Sequence, residues 1–254
     1  MVPAMFFARR GGRRPDSPLQ LPDVVLDAGW WADARARHGH TGRWPLLLHG
    51  LSAREPDRPW LTGELVAGRS AGTPSDHDPE ALLSQWWTAA EPEQEEGEED
   101  LREAVAPFLD GWPGRARPGV LQGDPDERAA TEFRSLLGAG WIHSPRPGLV
   151  PAERGADVPA VLGWSGPVNH EGDITRICAV LRDWEDRFGA RLIGLGFDTM
   201  QVSVAAPPAD RDHALRVAAE HFAFAPDNIT QGTGSLSEYA DDLVNATGWF
   251  FWWD

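Results

Sequence analysis

Apolar residues recur at helical spacing in several segments of the chain, which predicts amphipathic helices. The strongest pattern spans 174–188, and another spans 210–224. Four of these segments follow a residue of the kind that caps helices, because its side chain accepts hydrogen bonds from free backbone N–H groups. These residues are Asp78, Asp124, Asp173 and Ser235. Glycines placed to end three of the helices are Gly138, Gly189 and Gly248.

Strands are predicted where apolar residues alternate with small or polar ones. Residues 193–197 and 200–206 alternate in this way on either side of Asp198, which predicts a β-hairpin. A short strand is predicted over 148–152. The run Trp-Phe-Phe-Trp-Trp at 249–253 lacks alternation, which predicts a strand buried on both faces of a sheet.

The order of these elements predicts an α+β fold. From residue 148 onward it is strand, helices, hairpin, helices, strand, which is the βαββαβ plan of a ferredoxin-like sandwich with an extra helix before the last strand. A mixed, less regular region precedes it. The predicted organisation is a mobile Arg/Gly/Pro-rich tail (1–18), an N-terminal α+β region (19–90), an acidic linker or loop (91–104), a helical connecting region (105–147) and a C-terminal domain (148–254).

Charge narrows the range of functions for this chain of 254 residues. Its net charge of −16 argues against nucleic-acid binding, which needs clustered positive charge. No apolar run approaches the ~20 residues that span a bilayer. The arginines near the start follow the apolar run 1–8, which is the wrong order for a secretory signal. We therefore expect a soluble, cytoplasmic protein.

Six segments of the second half carry recognisable motifs: 181–190 (LRDWEDRFGA), 194–199 (GLGFDT), 202–208 (VSVAAPP), 218–224 (AAEHFAF), 226–229 (PDNI) and 249–254 (WFFWWD). Together these segments resemble a bacterial family, domain of unknown function 4253. The resemblance covers roughly residues 150–254, and two short pieces of the first half, Trp-Pro-Leu-Leu-Leu and Arg-Pro-Trp, are similar to longer members from high-GC bacteria. Ala225 stands where many relatives are expected to carry Cys. The resemblance implies no established activity.

A polar cluster precedes the strongest predicted helix. Asn169, His170 and Glu171 lie just before Asp173, where free N–H groups and the helix dipole favour an anion. One interpretation is a ligand or general-base site in which His170 accepts a proton and Asn169 donates a hydrogen bond. The favoured interpretation is that Asp173 caps the helix and the other residues form a polar loop.

A second group of candidates lies in two turns. Asp198 follows the first hairpin strand, and Asp227 and Asn228 follow the helix over 210–224. Acidic residues in turns more often hydrogen-bond to the nearby backbone than take part in catalysis. These residues are therefore weak candidates for catalysis or for ligand binding.

Histidine and cysteine spacing predicts no metal site and no cofactor. His213 and His221 share a helix face only across two turns, and Glu220 with His221 is interpreted as a surface or boundary pair. His38 and His40 lack further ligands nearby in the sequence. The single cysteine supports neither a disulfide framework nor a thiolate metal site, and the chain has no lysine to act in catalysis.

Tryptophan is abundant, with 13 residues, and most of it is interpreted as core. The positions that fit the apolar face of a helix or strand are Trp184, Trp249, Trp252 and Trp253. The adjacent pairs Trp30-Trp31 and Trp86-Trp87 are expected to place one ring each at the interface between the two halves or at a partner surface.

Two classes of function remain. The favoured one is a non-enzymatic protein-interaction module that binds a basic partner, by analogy with immunity proteins. The alternative is a small-ligand binder or hydrolase that uses the polar loops around His170, Asp198 and Asp227. Convergence of these three loops on one pocket would favour the alternative. The sequence leaves the oligomeric state open.

Overall fold

A computed structural model describes residues 17–68, 72–90 and 98–254. Most of the predicted mobile tail, residues 1–16, and the first part of the predicted acidic linker, residues 91–97, lie outside the described ranges. The remainder of that linker is helical. None of the helices within the described ranges is both long enough and apolar enough to cross a membrane.

The helices and strands alternate irregularly along the chain. The α-helices are α1 (Trp30–Ala36), α2 (His38–Thr41), α3 (Pro79–Ala89), α4 (Glu98–Val105), α5 (Pro125–Leu137), α6 (Val158–Leu162), α7 (Ile174–Phe188), α8 (Arg211–Phe224) and α9 (Leu236–Leu243). Two 3₁₀ turns span Pro74–Asp76 and Gly155–Asp157, and a π-helical turn spans Asn228–Thr233. The strands are β1 (Arg43–Leu48), β2 (Arg146–Pro151), β3 (Arg191–Leu195), β4 (Thr199–Ser203) and β5 (Gly248–Trp252).

The predicted helix starts are confirmed by hydrogen bonds that backbone N–H groups donate to the cap side chains. The capping residues whose side chains accept a backbone N–H are Asp78, Asp124, Asp173, Asp210 and Ser235. Gly189 ends α7 in the left-handed conformation, with φ of 58°. The prediction that Gly248 ends the last helix is wrong. Helix α9 ends at Leu243, and Asn245 adopts the left-handed conformation with φ of 59° before β5 begins.

The five strands form one mixed sheet in the order β2-β1-β3-β4-β5. Strand β1 pairs antiparallel with β2 and parallel with β3, whereas β3, β4 and β5 pair antiparallel in sequence order. The predicted α+β class is confirmed, but the ferredoxin-like arrangement is not. Strands β2 and β3, which α6 and α7 connect, run in opposite directions on either side of β1, whereas a split βαβ unit needs them parallel.

The N-terminal region therefore supplies an inner strand to the same sheet as the C-terminal region. Leu46, Leu47 and Leu48 of β1 are fully buried, and they belong to the same apolar core as the residues of α7 and α8. The domain boundaries predicted from the sequence remain a prediction. The strand order shows only that the sheet itself does not divide at residue 148.

Helices cover both faces of the sheet. On one face, Trp184 of α7 and Phe224 of α8 pack against Phe251 of β5, with ring centroids 5.3 and 5.0 Å apart. On the other face, α5 packs so closely that a Cβ at Gly194 would lie 3.0 Å from the Leu136 side chain. The absence of a side chain at residue 194 thus permits the close approach of this helix.

The prediction that β5 is buried on both faces is wrong. Trp249, Phe251 and Trp253 are buried against the helices, but Phe250 is 38% exposed and Trp252 is half-buried. Strand β5 is the last strand of the sheet. Only the face of β5 toward α7 and α8 is fully covered, so the apolar run is not matched by burial on both sides.

Both tryptophan pairs in the N-terminal half are buried. Trp86 packs against Phe224 with ring centroids 6.2 Å apart, and Trp87 packs against Phe222 at 5.3 Å. These contacts join α3 to α8, so this pair lies between the two halves of the chain. The other pair contacts Phe133 through Trp30 and Trp44 through Trp31. Neither pair leaves a ring at an outer surface.

Candidate functional site

The polar loops singled out from the sequence meet around the residues that follow β5. The backbone N–H of Trp253 donates to the carbonyl of Asp198 at 3.1 Å. The amide of Asn169 donates to the backbone oxygen of Asp254 at 3.1 Å, and the N–H of Asp254 donates to the Asp227 carboxylate at 3.0 Å. The three loops therefore come together, but the groups that they contact are backbone atoms of Trp253 and Asp254.

His170 lies beside this group in a mostly buried position. Its ring packs on Trp86 with centroids 5.5 Å apart, and its Nε2 atom is buried and makes no hydrogen bond to any residue that the structure describes. Burial lowers the pKa of His170, although the charges of Glu171 and Asp227 oppose the shift. His170 is therefore neutral near pH 7, and its free nitrogen is covered by protein.

Glu171 serves the structure rather than an open site. Its carboxylate accepts hydrogen bonds from the Trp86 indole at 3.0 Å and from the backbone N–H of Asp173 at 2.8 Å. It also pairs with Arg176 at 2.6 Å. The side chain is almost fully buried, so these contacts satisfy it and tie the start of α7 to α3.

Asn228 covers the free edge of β5. Its amide nitrogen donates to the carbonyl of Phe250 at 2.5 Å, and its amide oxygen accepts from the N–H of Trp252 at 3.1 Å. One side chain thus takes the place of a neighbouring strand at these two positions. Unpaired strand edges are prone to association with other chains, and this contact protects part of the edge.

Replacing Asn228 with Ala is expected to lower the free energy of unfolding by about 2 kcal/mol, because two backbone groups of β5 lose their partners. The amide of Trp252 should also exchange with solvent much faster in hydrogen-exchange measurements. As a control, Gln231→Ala changes an exposed amide in the same π-helical turn, and should leave this exchange unaltered. Unchanged protection of Trp252 in the Asn228 variant would contradict the role assigned to this side chain.

Four carboxylates around β5 form no ion pair with any residue in the described ranges: Asp198, Asp227, Asp242 and Asp254. Burial raises the pKa of Asp198, and the negative charge of Asp254 raises it further. Three aromatic side chains on β5 or against it, Trp141, Phe250 and Trp252, are at least partly exposed. Rings of Trp141 and Phe250 lie 5.4 Å apart. We call these seven residues the acidic–aromatic surface.

The interpretation of Glu220 and His221 as a surface pair is wrong, because both side chains are fully buried. The carboxylate of Glu220 accepts from the Trp184 indole and from the backbone N–H of Ala116, each at 2.7 Å. It also forms an ion pair with Arg187 at 2.5 Å. A signal was present in the sequence. Apart from Arg216, Glu220 and His221, residues 214–224 of α8 are all apolar, which is typical of a buried helix segment.

His221 is held within an aromatic cluster. Its Nδ1 atom lies 3.1 Å from the hydroxyl of Tyr239, and its ring is 4.5 Å from Trp249 and 4.8 Å from Phe251 between centroids. Burial lowers the pKa of His221 well below its usual value, and the positive charge of Arg187 acts in the same direction. His221 is therefore neutral near pH 7.

No three His, Cys, Asp or Glu side chains are grouped in a way that could hold a metal ion within residues 17–68, 72–90 and 102–254. Two of the histidines considered from the sequence lie close to backbone oxygens instead. The Nε2 atom of His213 is 2.8 Å from the carbonyl of Arg117, and that of His38 is 2.8 Å from the carbonyl of Ala152.

Comparison with protein families places the second half of the chain. Residues 146–254 match the family model of a domain of unknown function, DUF4253. This match confirms the resemblance that the segments of the second half predict. No curated protein and no solved structure matches the chain. The matched DUF4253 region begins at β2 and includes β3, β4 and β5, so the inner strand β1 comes from outside it.

Proposed function

We propose that this protein is a non-enzymatic interaction module, which binds a basic segment of a partner protein at the acidic–aromatic surface. The observation that carries the proposal is the grouping of carboxylates that form no ion pair within the described residues with partly exposed aromatic rings around β5. An immunity-type role, in which an acidic surface covers a basic partner, is one that this surface suits.

An excess of unpaired acids alone is weak support, because the chain has 39 acidic and 23 basic side chains. The aromatic neighbours make this group different. An arginine side chain stacks on aromatic rings and also binds carboxylates in a planar geometry, so a surface with both groups favours arginine over other side chains. Aromatic residues are also enriched in protein interfaces.

The alternative, a hydrolase or small-ligand site at the three polar loops, has less support. The side chains of Asn169 and Asp227 are already bonded to the backbone of Asp254, and the free nitrogen of His170 is buried. A general base must reach the proton that it removes. These contacts leave the loops as parts of a polar support for β5.

The test is the binding of a fluorescent oligo-arginine peptide, measured by anisotropy. Replacing Asp198, Asp227 and Asp254 together with Asn should weaken binding about tenfold or more, because three negative charges of the proposed surface are lost. The matched control changes three exposed acids far from β5 in sequence: Asp23→Asn, Asp33→Asn and Glu153→Gln. It removes the same charge and should weaken binding much less.

The salt dependence of peptide binding is a second measurement in the same experiment. Raising the ionic strength from about 0.05 M to about 0.5 M shortens the screening length severalfold, and should strongly weaken the interaction of the unmodified protein. Equal losses in the two triple variants would show that the peptide responds only to net charge. That result would refute the proposed surface.

A further inference from the structure

We infer that the cavity between α9 and β5 receives one cationic side chain, that of an arginine in the basic partner. The cavity has a volume of about 270 Å³. The inference rests on the proposed function and assigns a particular recognition element to the same surface. It adds a residue outside the three loops, Asp242 of α9.

The walls of the cavity combine aromatic rings with a single carboxylate. The aromatic residues that line it are Tyr239, Trp249, Phe250 and Trp252, and the acidic residue that lines it is Asp242. A cation placed against aromatic rings is attracted by their negative faces, and a nearby carboxylate adds a charge-assisted hydrogen bond. This combination favours ammonium and guanidinium groups over neutral or anionic ones.

Within the described residues, no arginine pairs with Asp242 or lies over an aromatic ring of the cavity. The arginines that lie over aromatic rings do so elsewhere: Arg35 over Trp44, Arg58 over Phe197, Arg176 over Trp86 and Arg187 over Phe188. Asp242 forms no ion pair with a described residue, whereas its neighbour Asp241 pairs with Arg211. The charge on the cavity wall is thus left for a partner to neutralise.

The geometry favours a single side chain over an added strand. Asn228 already occupies the carbonyl of Phe250 and the N–H of Trp252, so a partner strand cannot pair with β5 at these positions. The volume is also below the roughly 300–1,000 Å³ that is typical of drug-sized ligand sites. One long side chain fits this space better than a large ligand or a peptide backbone.

Contacts at its hydroxyl group hold the side chain of Tyr239 in position. Its hydroxyl lies 3.1 Å from His221 Nδ1 and accepts a hydrogen bond from the Asn228 amide at 3.2 Å. Because burial keeps His221 neutral, the imidazole beside the Tyr239 hydroxyl adds no positive charge that would repel a bound cation. A preformed ring loses little conformational freedom when it binds a ligand.

The probe for the cavity is N-acetylarginine amide, which carries one guanidinium and no other charge. N-acetylcitrulline amide has a similar shape without the charge and serves as the neutral control. Titration followed by NMR should shift the indole N–H signals of Trp249 and Trp252 with the arginine probe only. Absence of these shifts at saturating probe, or equal shifts with citrulline, would overturn the inference.

Variants connect the binding to the cavity. Asp242→Asn and Phe250→Leu should each weaken binding of the arginine probe about fivefold, which corresponds to roughly 1 kcal/mol. Glu238→Gln removes the same charge from an exposed position of α9 that does not line the cavity, and should change binding less than about twofold. Equal effects of Asp242→Asn and Glu238→Gln would also overturn the inference.

The experiments distinguish failure of the cavity inference from failure of the proposed function. If the oligo-arginine peptide responds to the Asp198, Asp227 and Asp254 variant but not to Asp242→Asn or Phe250→Leu, binding at these three carboxylates stands and the cavity inference falls. If the arginine probe shifts the indole signals while peptide binding ignores the triple variant, the cavity stands as a cation site and the proposed surface falls.

Discussion

Replacing Glu220 with Gln is expected to lower the free energy of unfolding by about 3–5 kcal/mol, because a buried ion pair loses one partner. The carboxylate of Glu220 is fully buried and accepts hydrogen bonds from Arg187, Trp184 and the backbone of Ala116. Gln keeps the size of the side chain but leaves the guanidinium of Arg187 with less compensation. Urea unfolding followed by circular dichroism would measure the change.

The matched control for this prediction is Glu153→Gln, which makes the same chemical change at an exposed position. It is expected to alter the free energy of unfolding by less than about 0.5 kcal/mol. Arg187 also pairs with Asp183 at 2.5 Å. If Glu220→Gln costs less than about 1 kcal/mol, Asp183 alone compensates the charge, and the importance given to Glu220 is wrong.

Replacing Trp184 with Ala is expected to cost about 3–5 kcal/mol, the range found when a large buried ring is removed. Trp184 is fully buried in the aromatic cluster between α7, α8 and β5. Its ring is 4.7 Å from Phe224 and 5.3 Å from Phe251, and its indole donates to Glu220. Thermal and urea unfolding would measure the loss, and a change in near-ultraviolet circular dichroism would report on the cluster.

Trp141→Ala is the control for this second prediction, because it removes the same side chain from a position that is 46% exposed. Its cost should be about 1 kcal/mol or less, since much of the ring already contacts solvent. Similar costs for the two variants would contradict the view that the buried cluster, and not tryptophan content as such, stabilises the fold.

Local features of the fold were predictable from the sequence because they depend on neighbouring residues. The cap residues Asp78, Asp124 and Asp173 act on N–H groups two or three positions away, so the pattern alone locates the start of each helix. Gly189 likewise ends α7 through its own backbone conformation. The hairpin β3–β4 follows from the alternation of apolar residues on both sides of one turn.

The strand order was not predictable in this way, because it depends on pairing between distant segments. The apolar run at 44–48 contains a proline and carries no signal for its neighbours, yet it pairs with residues near 148 and 194. The burial of Phe250 was also misjudged for this reason. Whether an apolar strand is covered on both faces depends on its place in the sheet, and a sequence pattern does not give that place.

The candidate site was partly predictable. Polar residues in turns identified Asn169, Asp198 and Asp227, and the structure brings them to one end of β5. At that end of the sheet they form hydrogen bonds with backbone atoms. The reason is that three turns which meet at one end of a sheet also lie beside the end of a strand. The cavity was missed, since Asp242 and Phe250 become neighbours only when α9 packs beside β5.

The inner position of β1 has a consequence for how the protein is made. Both strands that pair with β1 are synthesised long after it, since β2 begins at Arg146 and β3 ends at Leu195. At the usual speed of a ribosome, the delay is on the order of ten seconds. During that time the segment Trp-Pro-Leu-Leu-Leu has no strand partner, so its apolar side chains are exposed to aggregation until the later strands are made.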